Sequence, residues 1–120
     1  MSDFKKLNVW QKAYELTLLL YRATACFPRS ELYGLTSQMR RCCVSIGSNI
    51  AEGCGRAGES EKARFLQIAL GSLSELEFQP LVARDLNYLL PEVAEELNRR
   101  ILEIGRMLGS LANKVKAARA

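Results

Sequence analysis

Apolar residues recur along most of this chain at alternating steps of three and four, the spacing that puts side chains on one face of an α-helix. Val9, Ala13, Leu16, Leu20, Ala23 and Phe27 form one seam. Leu66, Ala69, Leu73, Leu76, Pro80 and Ala83 form a second, and Leu97, Ile101, Ile104, Leu108, Leu111 and Val115 a third. Between Leu35 and Gly58 a fourth seam runs through Met39, Cys42 or Cys43, Ile46 and Ile50. No stretch carries the two-residue alternation of a strand. The pattern predicts an all-α chain with helices at about 9–27, 35–52, 60–89 and 91–116. Short connections join them into an up-down-up-down four-helix bundle that makes a single domain of residues 1–120.

Local signals set the expected ends. Asn8 followed by Gln11 reads as a capping box that starts the first helix at Val9, and Pro28 stops it after Phe27. Gly34 closes a connection in which Ser30 caps a short turn. Ser60 reads as the N-cap of the third helix, with Glu59 and Glu61 at its positive end. Pro80 inside that helix predicts a kink. Pro91 suits the first turn of the fourth helix, followed by Glu92, Glu95 and Glu96. Gly47, and Gly105 with Gly109 four residues on, imply close approach of a neighbouring helix. Lys114, Lys116 and Arg119 form a basic tail, expected to fray beyond Lys116.

Two helices carry a second stripe. On the first, Trp10, Tyr14, Leu18 and Tyr21 lie beside the seam. An apolar arc that wide implies neighbours on two sides, the outer one either a second subunit or the rim of the monomer's own core. On the second, Gln38, Arg41, Ser45, Asn49 and Glu52 make a polar line poor in lysine, hugging the apolar one. It reads either as a hydrogen-bonded network that fixes helix register or as a ligand or nucleic-acid site. Ser72, Glu75 and Gln79 on the third helix form a matching line, with Glu75 set to pair with Arg41. These partners favour the architectural reading.

Composition narrows the chemistry. The chain has 120 residues, 25% of them charged, with a formal net charge of +4. Residues 1–58 carry eight Lys/Arg against four Asp/Glu, residues 59–104 five against nine, and residues 105–120 four against none. That balance suits an anionic partner such as RNA and also ordinary solubility. No apolar run is long enough to span a membrane, and the N-terminus has no signal-peptide pattern, so a cytoplasmic protein is expected. The four cysteines form no C-x-x-C pair and there is no histidine, which leaves no metal or cofactor set and no Ser-His or Cys-His nucleophile. Without histidine the di-iron bundle chemistry is excluded too. Glu52 or Glu75 could act as acid or base only from a pocket that exposes both. The Gly53-Cys54-Gly55-Arg56-Ala57-Gly58 loop follows a helix and lacks Gly-Lys-Ser/Thr, so it reads as a connection and not a phosphate loop. Arg40, Arg56, Lys62, Arg64, Lys114 and Lys116 are the candidate nucleic-acid contacts, with Arg40 expected on the surface.

Several segments resemble a known family. They are Phe4-x-x-Leu7-x-Val9-Trp10-Gln11-x-Ala13, Tyr33-Gly34-Leu35-x-x-Gln38-x-Arg40-Arg41, Asn49-Ile50-Ala51-Glu52-Gly53 and Gly71-Ser72-Leu73-x-Glu75-Leu76-Glu77. Together they resemble the four-helix bundle proteins encoded by intervening sequences of bacterial 23S ribosomal RNA genes. That family is similar in fold to the accessory variability protein of diversity-generating retroelements, a basic pentameric ring that works with a reverse transcriptase and its RNA. The resemblance implies a ring-shaped homopentamer and a non-enzymatic role, binding structured RNA, a ribonucleoprotein or a protein partner. Cys42-Cys43, Gly47 and Pro80 depart from the family pattern.

Overall fold

The three-four seams become the inner faces of four α-helices. In the computed structural model, which describes residues 3–119, these are α1 (Asn8–Thr24), α2 (Leu35–Cys54), α3 (Glu59–Asp85) and α4 (Pro91–Arg119). Short 3-10 turns occupy Phe4–Lys6 and Arg29–Glu31, and there is no strand among the described residues. The helices run up, down, up, down around one core. α1 packs on α2 and α4, α3 packs on the same two, and neither diagonal pair brings Cα atoms within 8 Å. The bundle measures 46 × 22 × 21 Å. Leu16, Leu20, Met39, Ile46, Ile50, Leu76, Leu97, Ile101, Ile104 and Leu108 are all fully buried. Burial of each such side chain contributes about 1.5–3 kcal/mol. Ala13, Ala69, Ala83, Ala94 and Ala112 lie among them and let the helices approach closely.

The ends of α1, α3 and α4 differ from the sequence expectation, and side chains from outside the helix cap α1 and α2. α1 begins at Asn8 with Leu7 in the cap position, and the Asn8–Gln11 box does not form; Gln11 Nε2 instead donates to the Lys5 carbonyl at 2.9 Å. α1 stops at Thr24, before Phe27. The buried Thr24 hydroxyl donates to the Leu20 carbonyl (2.9 Å) and accepts from Arg40 Nε (2.9 Å), while Arg40 Nη2 donates to the Tyr21 carbonyl (3.3 Å). A cation from α2 thus satisfies the orphan carbonyl end of α1. α2 starts at Leu35, whose N–H is capped by Glu31 Oε1 at 3.0 Å. The other oxygen of Glu31 accepts from Tyr88 OH at 3.1 Å and ties together the two loops at that end.

α3 starts at Glu59, with Gly58 and not Ser60 in the cap position, and runs unbroken through Pro80. It ends at Asp85, four residues before the expected Leu89. Asn87 takes the left-handed conformation (φ 66°), its N–H bonds to the Arg84 carbonyl, and Tyr88 N–H bonds to the Ala83 carbonyl at 2.8 Å. This paired capping pattern needs a left-handed residue that asparagine tolerates. α4 is longer than expected and stays helical to Arg119.

Two glycines test helix packing in opposite directions. A Cβ at Gly53 would sit 3.2 Å from Phe65 Cβ and 3.6 Å from the Lys62 carbonyl, so α2 and α3 approach through the missing side chain. A Cβ at Gly71 would meet nothing within 4 Å. Gly105 lies against Leu73, whereas Gly109 faces open space and brings no second helix close. Gly71→Ala is expected to raise stability by about 0.5–1 kcal/mol through helix propensity. Gly53→Ala is expected to lower it, because rigid backbone and a Cβ must give way. Urea unfolding of the two variants checks this; a stabilised Gly53→Ala would contradict the close approach.

Candidate functional site

Three surfaces gather most of the residues singled out from the sequence. The first is a groove of about 360 Å³ between α2 and α3, lined by Gln38, Arg41, Cys42, Ser45, Ser72 and Glu75. Its floor is the hydrogen-bonded pair of Ser45 and Ser72 hydroxyls (2.9 Å), one from each helix. Asn49 Nδ2 holds that pair by donating to the Ser45 carbonyl (2.8 Å) and hydroxyl (3.1 Å). So Ser45, Asn49 and Ser72 of the polar line do meet. The expected Arg41–Glu75 ion pair does not form: both residues are exposed on the groove walls, and they are not among the salt-bridged pairs. Glu52 leaves the line altogether and pairs with Arg56 at 2.7 Å. Glu75 therefore lines the groove without Glu52, and the two carboxylates are not brought together there.

The second surface is the end of the bundle where the α2–α3 loop, the start of α1 and the end of α4 converge. Arg56 and Arg64 stand over the ring of Phe65, with guanidinium carbons 5.0 and 4.7 Å from its centroid. Three of the cations here have a carboxylate neighbour: Arg56 with Glu52, Lys62 with Glu59 (3.5 Å), Arg64 with Glu61 (3.2 Å). These exposed pairs hold the cations in place and add little stability. Lys116 joins Arg64 in one groove of about 290 Å³ with Ser60, Ala63 and Gln67. Lys114 lines another along α4 with Arg106 and Asn113. The Arg119 side chain lies outside those described. Arg40 is not part of this cluster. It is half-buried at the opposite end, bonded into the α1 cap and stacked over Tyr21 at 4.6 Å, and does not project freely as the sequence reading expected.

The third surface is the outer side of α1. Trp10 is half-buried, stacked on Tyr14 (5.3 Å) and edge-on to Phe4 (5.0 Å). Tyr14, Leu18 and Tyr21 stay exposed, Tyr14 by 50%, and the strip continues to Leu32 and Val44 of the next segments. A groove of about 400 Å³ links Tyr21, Leu32, Thr36, Arg40, Arg41 and Val44. No described helix is long and apolar enough to cross a membrane.

The family model described as 23S rRNA-intervening sequence protein matches residues 5–110. The chain belongs to this family. A solved member of the S23 ribosomal protein family from Bacteroides thetaiotaomicron, titled as a protein of unknown function, superposes with a TM-score of 0.77 at 24% identity. The match covers 87% of this chain and 97% of that one, and the likeness shows the fold. No curated protein matches the chain.

The two inner thiols are held in their protonated form. Burial pushes Cys42 from 9.0 up to about 11, helped by the Glu75 carboxylate beside it. Burial pushes Cys43 to about 12, with Cys42 adding to the effect. Cys26 is exposed. A maleimide at neutral pH is therefore expected to label Cys26 in the native protein and to reach Cys42 and Cys43 only on unfolding. The same shifts couple to stability. The unfolded chain loses thiol protons from about pH 9, while the folded chain keeps them to about pH 11 and 12. The stabilisation is thus complete below pH 9 and lost as pH rises through the folded values. Thermal scans from pH 8 to 11 should show this alkaline decline, shallower in Cys42→Ala/Cys43→Ala. Rapid native labelling of Cys42 would contradict it.

Proposed function

We propose that the protein is a non-enzymatic helical scaffold in the cytoplasm that assembles with copies of itself and binds structured RNA, such as ribosomal RNA, at its basic end. The observation that carries this reading is the separation of charge along the bundle. The half built from residues 3–16, 45–71 and 105–118 holds nine Lys/Arg against five Asp/Glu. The half built from 17–44 and 72–104 holds seven against eight. Arg56, Lys62, Arg64, Lys114 and Lys116 all fall in the basic half, far apart in sequence and gathered by antiparallel packing. Guanidinium planes propped on Phe65 suit phosphates and unstacked bases.

Assembly is supported by two exposed apolar faces of opposite charge at the other end. The segment 17–44 carries four Lys/Arg and one Asp/Glu around Tyr21, Leu32 and Val44. The segment 72–104 carries three and seven around Phe78, Leu81, Leu86 and Leu90, with Phe78 65% exposed. A face that meets a different, complementary face makes a head-to-tail contact, which forms a ring where the rotation between copies closes. Five copies is the number the family resemblance implies. A protein-interaction module without RNA is the second reading, favoured by the glutamate partner that each of Arg56, Lys62 and Arg64 already has.

Light scattering is expected to give the mass of several subunits, reduced by Tyr14→Glu with Leu18→Glu; a monomeric wild-type chain would contradict assembly. Filter binding to ribosomal RNA fragments is expected to weaken linearly in log salt. Arg64→Gln with Lys116→Gln should lower the slope by about 1.4–1.8. No binding at low salt would leave the protein-interaction reading.

A further inference from the structure

The α2–α3 groove is built from groups that the fold leaves unspent. Arg41 borders it from α2, at the edge shared with the Tyr21–Val44 groove, and Glu75 borders it from α3; they do not pair although both line the same space. Gln38 adds an amide. The floor is fixed by the Ser45–Ser72 bond and by Asn49 behind it. Behind the groove, Gln79 is only 3% exposed and its Nε2 donates to Cys42 Sγ at 3.6 Å. Gln79 Oε1 has no partner, so its amide bonds only through that thiol. The groove's 360 Å³ lies at the small end of ligand pockets, a size for a nucleoside and not for a duplex.

We propose that this groove binds one unpaired guanine base, an inference that rests on the RNA-binding reading above. Guanine carries two adjacent acceptors, O6 and N7, on one edge, the pair a guanidinium fork recognises. Its next edge carries two adjacent donors, N1–H and N2–H, the pair a carboxylate accepts. Adenine and cytosine offer a carboxylate one donor beside an acceptor, and uracil offers a single donor flanked by acceptors. Arg41 from α2 and Glu75 from α3 therefore match guanine and mismatch the other three. Such edges are open in single-stranded loops and ends, where RNA is read by sequence.

The test is an anisotropy titration at low salt with labelled oligouridylate carrying one central guanosine, adenosine, inosine or 7-deazaguanosine. Guanosine is expected to bind about tenfold more tightly than adenosine. Inosine, which lacks the N2 amine, and 7-deazaguanosine, which lacks the N7 acceptor, should each lose part of that gain. Glu75→Gln, with an unchanged thermal midpoint, should erase the guanosine–inosine difference and leave plain oligouridylate binding as it was. Arg64→Gln with Lys116→Gln should weaken every oligonucleotide and keep their ratios. Equal affinity for all four bases would overturn the guanine site while RNA binding stands. No binding by any oligonucleotide would overturn both.

Discussion

Close packing of α2 on α3 is the constraint from which the rest of the molecule follows. It is permitted by what is absent: no side chain at Gly53 beneath Phe65, and only hydroxyls where Ser45 meets Ser72. With long side chains there, the helices would stand apart and the seams of Met39, Ile46, Ile50, Leu66, Leu73 and Leu76 could not close. The driving force is the apolar burial; a half-buried hydroxyl pair adds only about 1 kcal/mol. Its larger effect is on register. It aligns the polar lines of the two helices, so that a groove with charged walls lies directly outside an apolar core.

The same antiparallel order creates the electrostatic character. Segments that are moderately basic on their own are folded onto one end, and the acidic stretch from Glu75 to Glu103 is folded onto the other. The local Glu52–Arg56, Glu59–Lys62 and Glu61–Arg64 pairs temper that field without abolishing it, since Lys114 and Lys116 of α4 have no such glutamate at hand. A modest, dispersed positive end of this kind favours backbone-led, salt-sensitive contacts. Base preference then has to come from elsewhere, and the groove between α2 and α3 offers the chemistry for it.

The seams were legible because burial has a period, and every seam residue from Val9 to Leu108 named above for the core lies inward except partly covered positions such as Ala23 and Phe27. The ends were less legible because distant groups set them. Arg40 reads as a surface cation in sequence, yet it caps α1 through Thr24 and Tyr21. Glu31 caps α2 from a loop while holding Tyr88, 57 residues away. The end of α3 was readable in principle: Asn87 two residues past Asp85 is a residue that tolerates the left-handed cap. The polar line on α2 was half right. Ser45, Asn49 and Ser72 bond as a network, whereas Arg41 and Glu75 leave their charges in the groove, a distinction of a few ångströms that spacing alone does not carry.

The central claim is that RNA meets the basic end of the bundle. Ultraviolet crosslinking of the protein to a bound ribosomal RNA fragment, with the crosslinked peptides mapped by mass spectrometry, tests it most directly. The account predicts crosslinks in the α2–α3 loop through Phe65 and in the last turns of α4. Crosslinks confined to the loops around Glu31 and Asn87, at the opposite end, would contradict it.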